Sequence, residues 1–161
     1  MLALLHTVCG FLALALGATV LLRRKGTRSH RLLGATYVVI MLTLNISAFS
    51  IFNIFGSFGI FHAFAILSLV TLSLGLCAVI YRVPRKSWLY FHYQLMAWSY
   101  AGLLGATINE AFAHIPFLTS AVVSHGYAVL ASQVIFFTVA ATLINLAMKR
   151  TVARYGGRSA L

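Results

Sequence analysis

Acidic side chains are almost absent. Glu110 is the only Asp or Glu in 161 residues, and charged residues of every kind make up 8% of the chain. A soluble domain carries about 25% charged residues, so a water-exposed globular enzyme is excluded. Cysteine is scarce too. Cys9 and Cys77 form no Cys-x-x-Cys pair, and they fall near opposite ends of their apolar segments, too far apart in depth to bridge. No broken helix with a charged midplane site is visible, which argues against a transporter. Long linkers, low-complexity tracts and convincing internal repeats are missing as well. The start has no basic n-region or small-residue cleavage site and does not read as a secretory signal.

What is present is hydrophobic: 61% of the chain. Five runs are long enough to cross a bilayer core as helices, at about 2–22, 32–55, 60–81, 88–111 and 120–148. The expected fold is all-α, one integral membrane bundle of five transmembrane helices over residues 1–161. Every Lys and Arg then falls in one of three segments. Arg23, Arg24, Lys25, Arg28 and Arg31 follow the first run, Arg82, Arg85 and Lys86 follow the third, and Lys149, Arg150, Arg154 and Arg158 lie in a tail over 149–161. The alternate segments, Gly56 to Gly59 and Phe112 to Ser124, hold none. The positive-inside rule makes the basic side cytoplasmic, with the N-terminus outside and the C-terminus inside. In that place the basic groups meet anionic lipid headgroups rather than nucleic acid.

Ionisable residues within spans usually turn to the protein interior. On the fourth span, His92, Met96, Ser99, Leu103, Ala106 and Glu110 share one helical face. Its neighbour, Ala97, Ala101, Gly105 and Asn109, is small enough for a helix to approach closely. Span one carries His6, Gly10, Ala13 and Gly17, which make room for a neighbouring helix or, as the second choice, a flat cofactor. Asn45 and Gln133 suit interhelical hydrogen bonds. The histidines sort by depth. His30, in the loop beside Arg31, and His92 are cytoplasmic, while His6, His62, His114 and His125 join Glu110 at the outer end.

Two chemistries fit these depths. A b-type haem needs two neutral imidazoles from opposing helices: His30 with His92 inside, rimmed by Arg28, Arg31 and Arg85, and His6 with His62 outside. The result would be electron transfer across the membrane, linked to quinone. The alternative is an outer-face Zn or Cu site of His6, His62, Glu110 and His125, a sound tetrahedral set with metal-dependent or metal-handling activity. A third class is non-catalytic: an accessory subunit or assembly factor of a larger membrane complex.

The run His92-Tyr-Gln-Leu-Met96-Ala-Trp-Ser99-Tyr100, with Ala106 and Asn109-Glu110 after it, resembles a bacterial family of predicted membrane proteins of unknown function. So do Arg24-Lys25-Gly26, His30-Arg31-Leu-Leu-Gly34 and Tyr37, after a first span opened by a histidine. The resemblance covers most of the chain from His6 to Glu110. It implies a small multi-span bundle of a bacterial cytoplasmic (inner) membrane, with His6, His30 and His92 as family features. His62, His114 and His125 have no match in it. Similarity to two-haem cytochrome b membrane proteins is architectural only. The first expectation is therefore a small membrane redox protein, with b-haem or quinone and His6, His30, His62 and His92 as the cofactor contacts.

Overall fold

The computed structural model describes residues 1–51, 60–115 and 126–155. Among them are five α-helices and no strand: α1 Leu2–Leu22, α2 Arg28–Ala48, α3 Ile60–Tyr81, α4 Trp88–His114 and α5 Gly126–Tyr155. The protein is an all-α membrane protein. Four helices contain stretches long and apolar enough to cross a membrane: Leu2–Leu22, Arg28–Ala48, His62–Tyr81 and Leu130–Thr151. α4 has the length, at 27 residues. It falls short in hydropathy because His92, Gln94, Asn109 and Glu110 interrupt its apolar surface.

Large apolar side chains face outward along these helices, as on Leu4, Phe11, Val39, Ile46, Leu130 and Val134. Such a surface would be an aggregation hazard in water. In hydrocarbon it is the compatible one, since a helix satisfies its own backbone polar groups.

The chain divides into two compact units, Met1–Leu72 and Ser73–Leu161, with the division inside α3. In the first unit α1 packs on α2. Cys9, Ala13 and Gly17 form the buried stripe of α1, each four residues from the next and therefore on one face. Tyr37, Val38, Met41 and Leu44 are the apolar residues that α2 buries. A Cβ placed on Gly10 would sit 3.9 Å from Leu44 Cδ1, so the small face of α1 receives a neighbouring helix. Asn45 is buried, and its Nδ2 donates to Met41 O at 2.8 Å and across to Ser68 Oγ of α3 at 3.1 Å. This is the interhelical role expected of it.

The α1–α2 connection shows how a basic loop closes a helix end. Lys25 Nζ donates to Val20 O at 3.1 Å and Leu21 O at 2.6 Å, satisfying carbonyls that have no intrahelical donor. Burial there pushes the Lys25 ammonium below its usual pKa. Gly26, at φ 78°, supplies the left-handed turn that other residues avoid. Thr27 then caps α2, its Oγ1 accepting from the His30 backbone N–H at 3.1 Å. His30 is thus in the first turn of α2, where the sequence suggested a loop, because a Thr N-cap starts the helix ahead of the apolar run.

Three other boundaries move. α2 ends at Ala48 rather than near residue 55: Ser50 N–H bonds to Ser47 O and Ile51 N–H to Ala48 O, both at 3.1 Å. Such tighter i to i+3 bonds close a helix, even though apolar residues continue beyond. α4 runs on to His114, and Ile115 is extended at φ −90°, ψ 115°, the conformation imposed on a residue before proline, here Pro116. α5 carries the first part of the basic tail as helix, to Tyr155.

In the second unit α4 packs on α5, burying Ala97, Ala101 and Gly105. A Cβ on Gly105 would lie 2.7 Å from Phe137 Cζ, so that close approach depends on glycine.

Candidate functional site

Two histidines are held by their Nδ1 atoms, one in each unit. On α4, His92 Nδ1 lies 2.8 Å from the carbonyl oxygen of Gly75 on α3. A carbonyl only accepts, so Nδ1 carries the hydrogen, and in the neutral ring Nε2 carries the lone pair. The contact requires the backbones to come close. A Cβ on Gly75 would meet Leu95 Cβ and Met96 Sδ, both at 3.1 Å. His92 and Met96, one turn apart, therefore pack over a residue with no side chain. Ser99, almost wholly buried, extends this side of α4 and donates to Met96 O at 2.9 Å.

In the first unit, His6 Nδ1 lies 2.9 Å from Ser47 Oγ. Ser47 Oγ donates its one hydrogen to Leu44 O at 2.8 Å, so it accepts from His6 Nδ1–H. The relay fixes the same tautomer at His6 as the Gly75 carbonyl does at His92. His62, on α3, is buried with its ring 6.4 Å from that of Phe49, tilted by 33°. Ser47 and Phe49 are two residues apart at one end of α2, so the first unit brings His6 and His62 to the same helix end.

The remaining expected site residues fall elsewhere. His30 lies in the first unit, half-buried in the opening turn of α2. Glu110 is exposed near the end of α4 and Ala106 is half-buried, so the interior stripe beginning at His92 does not continue to Glu110. His125 lies outside the described residues, and of His114 only the helical backbone is described. Among the described residues no three His, Cys, Asp or Glu side chains converge in a way that would hold a metal ion. Cys9 is buried and Cys77 exposed, both as free thiols.

Two amide pairs join α4 to α5. Gln133 Nε2 donates to Asn109 Oδ1 at 3.0 Å, the interhelical bond expected of Gln133. Gln94 Nε2 donates to Asn145 Oδ1 at 2.9 Å and approaches Met148 Sδ at 3.3 Å. The Gln94–Asn145 pair was not anticipated. Its signal was an amide on each of two apolar helices, but a sequence does not say which amides meet.

Comparison with known proteins adds one finding: the family model described as Predicted membrane protein (DUF2306) matches residues 3–152. No curated protein and no solved structure matches the chain.

Proposed function

For a chain that belongs to the DUF2306 family of predicted membrane proteins, we propose the role of a small integral-membrane redox protein, with b-type haem held by histidine and quinone as its exchange partner. One observation supports the reading above the others: His6 and His92 are both fixed with hydrogen on Nδ1 and the lone pair on Nε2. An imidazole that ligates a metal usually donates its other N–H to a carbonyl or similar acceptor, which sets its tautomer and raises its basicity. Bound haem would supply one-electron chemistry. The chain's part is to present the imidazoles and exclude water with its apolar helices. His92 is the inner contact. His6 is the outer one, joined by His62 at the same end of α2. In this reading the basic segments lie on the cytoplasmic side of a bacterial inner membrane, where anionic headgroups neutralise them.

The visible spectrum of the purified protein, prepared with cofactor supply assured, tests the proposal. A Soret band with sharp α and β bands on reduction is expected. His92→Ala should remove or shift the inner signal, while Glu110→Ala should leave it unchanged. A colourless protein containing about one zinc or copper per chain, lost on His6→Ala or His62→Ala, would replace haem with the outer metal site. A colourless and metal-free protein would overturn both and leave the accessory-subunit role.

A further inference from the structure

The end of α3 and the start of α4 enclose an open groove of about 450 Å³, lined by Leu74, Cys77 and Ala78 of α3, Val83 of the turn, and Phe91 and Leu95 of α4. Almost nothing polar faces it. The turn that supplies Val83 also carries Arg82, Arg85 and Lys86, all exposed. An almost entirely apolar slot therefore opens beside three cations. The chain's only acid, Glu110, is eighteen residues from His92 along α4, about 27 Å away at 1.5 Å per residue, and cannot neutralise them.

From this juxtaposition we infer that the groove is a binding site for one anionic phospholipid, with an acyl chain along Leu74, Ala78 and Leu95 and the phosphate at Arg82, Arg85 and Lys86. The location suits such an occupant. Helix ends meet the headgroup region of a bilayer, and Trp88 and Tyr90 at the start of α4 are of the kind that settles there. The apolar slot alone would accept any hydrocarbon chain. The three cations select the charge of the headgroup, each strengthening attraction to an anionic surface about fivefold. The site does not depend on haem binding.

Cys77 makes occupancy measurable, because it lines the groove and is exposed whereas Cys9 is buried. The full chain carrying Cys9→Ala is placed in nanodiscs of phosphatidylcholine, with or without phosphatidylglycerol, and alkylated with N-ethylmaleimide. Phosphatidylglycerol should slow Cys77 alkylation several-fold, and native mass spectrometry should find it retained where phosphatidylcholine is not. Arg82→Gln with Arg85→Gln and Lys86→Gln should abolish both effects without changing the melting temperature. Val83→Trp keeps the charges and fills the slot, so it too should end the retention. Equal alkylation in the two lipids, or phosphatidylglycerol retained by either variant, would overturn the assignment. So would protection by an isoprenoid quinone but not by phosphatidylglycerol, which would give the groove to the quinone.

Discussion

Gly75 and Gly105 matter for what they lack. At Gly75 the missing Cβ lets the α3 backbone reach His92 and clears Leu95 and Met96. At Gly105 it admits the edge of the Phe137 ring. Overpacking a tight contact costs about 1–3 kcal/mol, so Gly105→Ala should lower stability by that order. Gly102, on the same helix, has nothing within 4 Å of its would-be Cβ. Gly102→Ala should be neutral or stabilising by up to about 1 kcal/mol through helix propensity. Thermal unfolding in detergent of the two variants side by side is the measurement. Equal melting temperatures would mean that Phe137 does not hold the position described. Gly75→Ala should act on the site as well as on stability, by displacing the carbonyl that sets the His92 tautomer.

At the level of elements, the α4–α5 seam combines small residues with amides. Ala97, Ala101 and Gly105 bring the helices close, and the Asn109–Gln133 and Gln94–Asn145 bonds tie them. Interhelical hydrogen bonds in membranes contribute about 0.6 kcal/mol on average and up to about 1.7. A double-mutant cycle of Asn109→Ala and Gln133→Ala should return a coupling in that range, and an additive pair would exclude the bond. Much of this was legible in advance. The small-residue stripe of α4 follows from the helical period, and α1 and α3 run over the residues that hydropathy marked. Less legible were the features set by backbone hydrogen bonding. Hydropathy does not register the Thr27 cap that draws His30 into α2, nor the tight turn that stops α2 at Ala48 within an apolar run. Glu110 was placed on the interior stripe by the 3.6 period alone, yet it is exposed at the helix end. The Nδ1 partners of His6 and His92 were not legible at all, since Ser47 and Gly75 carry no mark of which side chain will reach them.

Over the whole chain, the positions of charge form the simplest pattern. All twelve Lys and Arg residues fall in three segments separated by pairs of apolar runs. In the proposed orientation, reporter fusions or cysteine labelling should find Arg28, Lys86 and Arg154 on the cytoplasmic side and Gly56 and Thr119 outside. One basic segment on the outer side would break the five-span arrangement, because all three share its parity. That arrangement leans hardest on α4, the helix outside the four apolar enough to span. Entry from the translocon into lipid is decided by the hydropathy of the segment presented, and α4 by itself presents a poor one. Among the described residues its amides Gln94 and Asn109 find their amide partners, Asn145 and Gln133, on α5. In the five-span arrangement the fourth helix is therefore expected to enter the bilayer together with the fifth, as a hairpin whose amides pair. Glycosylation mapping of a chain truncated before Gly126 should find α4 inserted less efficiently than in the full chain.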